Sequence, residues 1–274
     1  MRVKINRRFA WYNKCMKIAV LGAGAYGKAL GGTLEDNKYE VAYFDPKIKD
    51  CSLEVVLDGA KYALLATPSE AVAKLLGKLP KDIPLIVATK GLLSTEVFDD
   101  FKNYMIVSGP SFANDLEARK LTRLTATNAK VAELLATDYI TFDFTNDKRG
   151  VLLCGSLKNA YAIYAGILGI RPGTAKHKLY IDSAVDELKQ ILIANEAKAD
   201  TVELSCGRGD LEITCGPPSR NYEFGQMLKK DISVKPEKTV EGVATLKRVQ
   251  KGEIMVPDTA KILKELIKIS KKWD

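Results

Sequence analysis

Histidine is nearly absent from this sequence and cysteine is sparse, so several kinds of site are excluded at once. The single histidine, His177, leaves no multi-histidine metal centre and no pair of catalytic histidines. The five cysteines are scattered without a Cys-x-x-Cys pair, which argues against structural zinc and against a disulfide framework. No run approaches the roughly 18 apolar residues of a membrane-spanning helix. We therefore expect no metal site and no stable membrane insertion.

Acidic residues are outnumbered, because 42 lysines and arginines face 34 acids, for a formal net charge of +8. Such a surplus is found in proteins that bind nucleic acids, anionic membranes or small phosphorylated molecules. Five of the basic residues lie in residues 1–15, which contain no acid and no uninterrupted apolar stretch of a secretory signal. We interpret residues 1–15 as a dispensable basic extension, with Met16 as an alternative start, and expect no nucleic-acid partner.

Residues 16–147 alternate between short apolar runs and helical segments. The runs predict strands at Lys17–Leu21, Val41–Phe44, Tyr62–Ala66, Leu85–Ala88, Met105–Ser108, Thr122–Thr127 and Ile140–Phe144. Helices are predicted between them, among others at Tyr26–Asn37, Ser69–Leu79 and Ala129–Thr137. Strands that alternate with helices form a parallel sheet covered on both faces. The pattern predicts an α/β dinucleotide-binding domain, a Rossmann-type doubly wound parallel sheet, over residues 16–147.

The pattern changes after Asp147, and no strand is predicted in residues 148–274. Helical periodicity predicts helices at Gly150–Leu168, Lys176–Asn195, Pro236–Gln250 and Pro257–Lys272. The last of these has an apolar face between its lysines, and exposure of that face would favour a homodimer. We predict an all-helical C-terminal, substrate-binding domain over residues 148–274.

A glycine-rich turn follows the first predicted strand. Gly22, Gly24 and Gly27 form the pattern G-x-G-x-x-G between a strand and a helix, the context in which that pattern binds the pyrophosphate of a dinucleotide. Asp45 ends the second strand, where an acid can hold a ribose 2′-hydroxyl. This position favours NAD, but the nearby Lys47 leaves NADP open.

Four further motifs follow the turn in a fixed order. They are Ala88–Leu92 (ATKGL), Ser108–Ala113 (SGPSFA), Gly150–Asn159 (GVLLCGSLKN), and Gly209–Cys215 (GDLEITC) with Ser219–Asn221 (SRN). Together they resemble the NAD(P)-dependent sn-glycerol-3-phosphate dehydrogenases, whose motifs read A-T-K-G, S-G-P-S-F-A, G-V-E-L-C-G-A-L-K-N and G-D-L-x-x-T-C…S-R-N. The resemblance spans residues 17–242.

The resemblance implies a cytoplasmic oxidoreductase that reversibly reduces dihydroxyacetone phosphate to sn-glycerol 3-phosphate with NAD(P)H, for glycerophospholipid synthesis. It places catalysis at Lys158 and Lys90. It implies substrate contacts at Lys90, Gly109, Ser111, Lys158, Asp210, Thr214, Ser219, Arg220 and Asn221. It implies cofactor contacts at Gly22, Gly24, Ala25, Tyr26, Gly27, Lys90, Ala113, Arg220 and Glu241.

The chemistry of ketone reduction explains why lysines suit these roles. Hydride addition leaves negative charge on the carbonyl oxygen, and a cation aimed at that oxygen lowers the barrier. A lysine with a pKa near about 10.4 exchanges protons at neutral pH only when burial or a like charge lowers that pKa. We predict that Lys158 donates the proton, that Lys90 orients the substrate, and that Asp210, in a turn, sets the balance between them. Arg220 suits a phosphate because its planar group makes paired hydrogen bonds, and Ser219–Asn221 is expected to open a helix.

Several positions depart from the family pattern. The expected Asn-Thr-Lys-Ala-Ala and its following arginine are replaced over residues 173–183, the stretch before Gly209 reads Leu204–Arg208, and Leu152 stands where the family has glutamate. These changes leave two alternatives open. One is a related two-domain dehydrogenase for another small anionic hydroxy or keto substrate, and the other is a non-catalytic NAD(P)-binding regulator.

Overall fold

The computed structural model describes residues 16–48, 51–236 and 240–273, and these form two compact units. The first unit comprises the described residues up to Thr89, with Glu96–Val107 and Ser111–Phe144. The second comprises Lys90–Thr95, Ser108–Pro110 and the described residues from Thr145 onward. Two short segments from the first half of the chain are therefore part of the second unit. The predicted basic extension, residues 1–15, lies outside the described residues.

A seven-stranded sheet forms the first unit, and its strands confirm the predicted α/β fold. The strands are β1 (Lys17–Leu21), β2 (Glu40–Phe44), β3 (Ala60–Leu65), β4 (Leu85–Val87), β5 (Tyr104–Ser108), β6 (Thr122–Ala126) and β7 (Ile140–Phe144). Their order is β2-β1-β3-β4-β5-β6-β7. β1 pairs in parallel with β2 on one side and with β3 on the other. Successive strands are thus added first to one side of β1 and then to the other, and the strand order reverses next to β1. In open α/β sheets, ligands bind beyond the carboxyl ends of the strands at such a point.

Helices connect these strands and bury their apolar faces on the sheet. They are α1 (Ala25–Asp36), α2 (Leu53–Leu57), α3 (Ser69–Leu76), α4 (Ala113–Glu117) and α5 (Ala129–Leu135). Leu30 and Leu34 of α1 recur one helical turn apart, and both are fully buried in the cluster that contains Ile18 and Val20 of β1. The spacing of apolar residues thus places α1 directly against the strand that precedes it.

The described part of the second unit is helical after Asp147. Its helices are α6 (Lys148–Leu168), α7 (Ala175–Ala194), α8 (Asp210–Thr214), α9 (Arg220–Lys230), α10 (Glu241–Gln250) and α11 (Lys261–Ser270). α6 is long and apolar enough to cross a membrane by length and composition, so the expectation that no stretch has this character was wrong. Of its most apolar window, 83% is buried inside the protein, as in the core helix of a globular unit.

The C-terminal helix is anchored by a buried carboxylate rather than by a cap of its own. Glu187 of α7 accepts hydrogen bonds from the backbone N–H groups of Ile262 (2.7 Å) and Leu263 (2.8 Å) and from the Tyr161 hydroxyl (2.7 Å). These two N–H groups lie in the first turn of α11, where backbone N–H groups have no hydrogen-bond partner within the helix. Glu187 therefore supplies the cap that Ala260 lacks, and Leu263 and Leu266 on the apolar face of α11 are buried within this unit. Ile262, Ile267 and Ile269 of the same helix remain partly exposed, and the homodimer stays a prediction.

The structure corrects three predicted boundaries. The helix expected over Pro236–Gln250 begins at Glu241, and residues 237–239 lie outside the described part. The helix expected over Pro257–Lys272 is confined to Lys261–Ser270. Asp210, predicted in a turn, opens α8 directly after a π-helical turn over Ser205–Gly209. Glycines suggested a turn there, yet a side chain at Gly207 would lie 2.1 Å from the Val202 carbonyl oxygen, so glycine serves close packing.

Candidate active site

The glycine-rich turn lies at the carboxyl end of β1 and has the geometry of a phosphate-binding turn. Gly22 has φ +109°, and a Cβ there would lie 2.7 Å from the Ala66 carbonyl oxygen. A Cβ at Gly27 would lie 1.8 Å from the Gly22 carbonyl oxygen, so only glycine lets α1 pack on the turn. Gly24 differs, because nothing lies within 4 Å of its Cβ position and the residue is exposed. Neighbouring backbone atoms thus leave no room for a side chain at Gly22 and Gly27, whereas Gly24 faces open space.

The residues around this turn fit a dinucleotide. No side chain caps α1 at Gly24 and no acid stands in its first turn, and the N-terminus of a helix favours the binding of an anion. Asp45 lies at the end of β2, where its Oδ2 accepts the Ala23 N–H at 3.2 Å and its Oδ1 accepts the Lys47 N–H at 3.0 Å. The Tyr26 hydroxyl hydrogen-bonds the Ser111 hydroxyl at 3.1 Å. Ala25 is exposed in the first turn of α1, and Ala113 begins α4.

A buried lysine–aspartate pair forms the centre of the second unit. Lys158 of α6 is 2% exposed, Asp210 of α8 is fully buried, and the two side chains form an ion pair. Burial lowers the pKa of Lys158 to about 7, the Asp210 carboxylate opposes this shift, and the neighbouring Lys90 ammonium adds to it. Lys158 can therefore give up or accept a proton near neutral pH, as the sequence chemistry requires.

Two of the predicted site residues, Lys90 and Thr214, lie beside this pair, and a third, Gly109, belongs to the same unit. Lys90 belongs to the same unit and precedes Gly91, whose φ of +88° turns the chain. The Thr214 hydroxyl donates to Asp210 Oδ1 at 3.4 Å. Gly109 also belongs to this unit and has φ +147°, which favours glycine. Lys90, Lys158, Asp210 and Thr214 thus form one cluster, and the substrate contacts that the resemblance implies for them stay a prediction.

The Ser219–Asn221 run opens α9, which confirms the helix predicted there. Ser219 is buried, and its hydroxyl accepts the Tyr222 N–H. Arg220 is exposed and makes no ion pair among the described residues, so its guanidinium is available to an anion. The Asn221 amide instead bridges two helices, because it donates to Asn159 Oδ1 (3.0 Å) and accepts the N–H of Gly242 (2.9 Å), the residue after Glu241 at the start of α10.

The cysteines near this cluster are not nucleophiles. A hydrogen bond with Cys206 and burial raise the pKa of the Cys154 thiol, and burial raises the pKa of the Cys215 thiol. A thiol of raised pKa is uncharged at neutral pH and is a poor nucleophile. No group of three or more histidine, cysteine, aspartate or glutamate side chains able to hold a metal occurs in the part of the chain that the structure describes.

Two residues that the sequence interpretation overlooked contact the backbone after Lys90. The Ser156 hydroxyl donates to the Leu92 carbonyl oxygen at 2.6 Å, and the Arg248 guanidinium donates to the Gly91 carbonyl oxygen at 2.5 Å. One signal could have found Ser156, because it replaces alanine in the motif G-A-L-K-N. Arg248 has no comparable signal, since its partner lies 157 residues away in the sequence.

The sheet, its glycine turn and the buried lysine–aspartate pair together define a nicotinamide-dependent dehydrogenase. Residues 147–272 match the family described as NAD-dependent glycerol-3-phosphate dehydrogenase C-terminus. The chain is 30% identical to the glycerol-3-phosphate dehydrogenase (NAD(P)+) of Maridesulfovibrio salexigens, over 92% of this chain and 94% of that protein. It is 27% identical to glycerol-3-phosphate dehydrogenase (NAD(P)+) 1 of Lactobacillus delbrueckii subsp. bulgaricus, over 91% and 92%. The chain therefore belongs to the NAD(P)-dependent glycerol-3-phosphate dehydrogenase family.

Solved structures show the same fold. The glycerol-3-phosphate dehydrogenase of Coxiella burnetii superposes with a TM-score of 0.76 at 24% identity, over 92% of this chain and 95% of that one. The Plasmodium falciparum glycerol-3-phosphate dehydrogenase also gives 0.76, at 18% identity, over 94% and 92%. At these identities the likeness concerns the fold alone.

Proposed function

We propose that this enzyme reduces dihydroxyacetone phosphate to sn-glycerol 3-phosphate in the cytoplasm, for glycerophospholipid synthesis. The observation that carries the proposal is the buried Lys158, which is paired with Asp210, lies beside Lys90 and has a pKa lowered to about 7. A general acid works best when its pKa is close to the working pH. The names of the relatives supply the substrate, and this cluster supplies a proton donor suited to it.

The residues of the cluster divide the chemistry between them. NAD(P)H, when bound, supplies a hydride to the ketone carbon. Lys158 donates a proton from Nζ to the carbonyl oxygen as negative charge develops there, and Lys90 stabilises that charge as a second cation. Asp210 keeps Lys158 protonated before transfer because its carboxylate favours the ammonium form. In the reverse direction, neutral Lys158 removes the hydroxyl proton of glycerol 3-phosphate.

The phosphate of the substrate requires a separate cation. Arg220 is the first residue of α9, is exposed and has no carboxylate partner among the residues described. A guanidinium can make two parallel hydrogen bonds to one phosphate. We therefore assign the phosphate to Arg220, with Ser219 beside it holding the start of the helix.

NAD is the preferred cofactor in this proposal. Asp45 places a carboxylate at the end of β2, fixed by the Ala23 and Lys47 N–H groups. A carboxylate there accepts a ribose 2′-hydroxyl and repels a 2′-phosphate. Lys47 is exposed and is the residue that would offset this repulsion.

The test is oxidation of NADH and of NADPH by the purified enzyme, each with dihydroxyacetone phosphate. We expect turnover that is faster with NADH. Parallel assays with phosphate-free keto acids separate the first alternative, since activity only with those acids would indicate a different substrate class. Binding of NADH without turnover of any substrate would indicate the regulator and contradict the proposal.

A further inference from the structure

We propose that Ser156 and Arg248 are positioning residues, which hold the backbone of Gly91 and Leu92 and thereby place the Lys90 ammonium beside Lys158. This inference rests on the proposed function of the two lysines. Neither residue touches the cofactor or substrate in the mechanism given above. Their action passes through the segment that carries Lys90.

The segment that follows Lys90 needs external support. Gly91 has φ +88°, so Lys90 and Leu92 lie on either side of a turn that belongs to no helix or strand. Leu92 is 4% exposed, and a buried carbonyl without a partner costs free energy comparable to a lost hydrogen bond. Two neighbouring carbonyls, those of Gly91 and Leu92, receive their donors from distant side chains.

Ser156 connects this segment to the helix that carries the acid. It lies in α6 two residues before Lys158 and is 1% exposed, and its hydroxyl donates to the Leu92 carbonyl oxygen at 2.6 Å. Residues two apart on a helix point in nearly opposite directions. Ser156 therefore holds the Leu92 end of the segment from one side of α6, while the Lys90 ammonium at the other end meets Lys158. Alanine in the family motif at this position has no hydroxyl to make this bond.

Arg248 connects the segment to α10. Its Nε and one terminal nitrogen bind the Glu253 carboxylate at 2.8 and 2.6 Å, and the other terminal nitrogen donates to the Gly91 carbonyl oxygen at 2.5 Å. Glu253 thus orients the guanidinium, which has a fixed fork of donors. A lysine at this position would offer one ammonium and could not keep all three contacts with the same geometry.

Loss of these supports has a consequence for proton transfer. The groups that face Lys158 are the Asp210 carboxylate, the Lys90 ammonium and the Cys215 thiol at the end of α8. Lys90 lowers the pKa of Lys158, so movement of Lys90 away from Lys158 raises that pKa. Reduction requires protonated Lys158, and its rate therefore falls with pH at a higher midpoint when Lys90 is displaced. A purely structural role for Ser156 or Arg248 would lower stability and leave this midpoint unchanged.

The experiment compares Ser156→Ala, Arg248→Met and the double variant in the full chain. The midpoint of the pH profile of kcat/KM for dihydroxyacetone phosphate reduction is measured for each. We expect the double variant to shift upward by about half to one pH unit and to lose about tenfold to a hundredfold in kcat, with smaller effects in each single variant. Arg248→Lys should show a smaller upward shift than Arg248→Met, because the ammonium can keep part of the contact with Gly91. Arg123→Met, which breaks an arginine–aspartate pair with Asp143 in the first unit, serves as the control with an unchanged midpoint.

A second readout separates this inference from the proposed function. The pH dependence of Lys158 acylation, followed by competitive labelling and mass spectrometry, reports the Lys158 pKa without any turnover. If the wild type does not reduce dihydroxyacetone phosphate, the proposed function fails and the labelling still tests the positioning. If the double variant remains folded and neither the labelling nor the kinetic midpoint moves, the positioning role is overturned. Should Arg248→Met not fold, Ser156→Ala with Arg248→Lys replaces it, with the same expected direction of shift.

Discussion

In the proposed mechanism, the glycine turn of the first unit binds the cofactor and the lysine–aspartate pair of the second moves a proton, and the two regions depend on opposite physical features. The turn depends on missing side chains, because a Cβ at Gly22 or Gly27 would overlap neighbouring backbone atoms and Gly24 leaves open space in front of its backbone. The pair uses charged side chains that are removed from water, so that burial lowers the pKa of Lys158. Added volume should therefore damage the turn, whereas a change of charge at constant volume should damage the pair. This difference can be tested one region at a time.

The largest expected effect comes from Lys158→Met, which removes the proton donor while it keeps a side chain of similar length. General acid catalysis contributes about 10²- to 10⁴-fold, and we expect kcat for dihydroxyacetone phosphate reduction to fall within this range. NADH affinity, measured by fluorescence titration, should not change. Lys189→Met is the control and should retain activity, because Lys189 of α7 pairs with Glu203 and has no role in the proposed mechanism. Near-normal turnover by Lys158→Met would remove Lys158 from the mechanism.

Gly27→Ala and Gly24→Ala test the turn by volume alone. A Cβ at Gly27 would lie 1.8 Å from the Gly22 carbonyl oxygen, and overpacking of this kind costs about 1–3 kcal/mol or more. We expect a lower melting temperature and loss of NADH binding. Gly24→Ala meets no atom within 4 Å, so it should fold normally and bind NADH more weakly, because the pyrophosphate approaches that backbone. Gly32→Ala, also free of contacts, should affect neither property, and equal binding by all three variants would contradict this role of the turn.

Glu187→Gln tests a buried charge that has no part in catalysis. Its carboxylate accepts two backbone N–H groups of α11 and the Tyr161 hydroxyl, and hydrogen bonds to a charged group are worth about 1.5–3 kcal/mol each. We expect the free energy of unfolding, measured by urea denaturation, to fall by about 1.5–3 kcal/mol, the value of one such bond. NADH affinity should change little. Asp186→Asn is the matched control, since Asp186 is 79% exposed beside Lys189 and should change stability by less than about 1 kcal/mol. Equal effects of the two substitutions would show that Glu187 does not anchor α11.

Asp45→Ser should have the smallest effect, confined to the choice of cofactor. Removal of the carboxylate abolishes its repulsion of a 2′-phosphate, and we expect the ratio of kcat/KM for NADPH to that for NADH to rise about tenfold, equivalent to about 1.4 kcal/mol. Steady-state assays with both cofactors measure the ratio. The exposed Glu40 at the start of β2 offers the control substitution Glu40→Ser. An unchanged ratio in Asp45→Ser would assign cofactor choice to other residues.

The sheet could be predicted from the sequence because its determinants are local. Each strand is a short apolar run, and α1 shows Leu30 and Leu34 at helical spacing. The bounds of the five-residue helices α2 and α4 could not be predicted in the same way, because one turn and a half is too short for a periodic pattern. Asp210 was placed in a turn because its neighbouring glycines normally interrupt helices, and their packing role becomes evident only in three dimensions.

The candidate site was predictable only in part, for a related reason. The glycine turn is contiguous in the sequence, whereas Lys90, Lys158 and Asp210 are brought together by folding and were identified through the family resemblance. The contacts of Ser156 with Leu92 and of Arg248 with Gly91 span 64 and 157 residues. Side chains that support a site through distant backbone carbonyls leave no local pattern, and the structure is needed to find them.

The pH dependence of the reaction in both directions tests the central claim that Lys158 carries the proton. Reduction needs protonated Lys158 and oxidation needs neutral Lys158. As the pH rises, kcat/KM should therefore fall for dihydroxyacetone phosphate and rise for glycerol 3-phosphate, with a midpoint near the Lys158 pKa of about 7. In Asp210→Asn the midpoint should move to lower pH, since the Asp210 carboxylate raises the pKa of Lys158. Profiles that are flat across neutral pH in both directions, or a midpoint that Asp210→Asn leaves in place, would contradict the account.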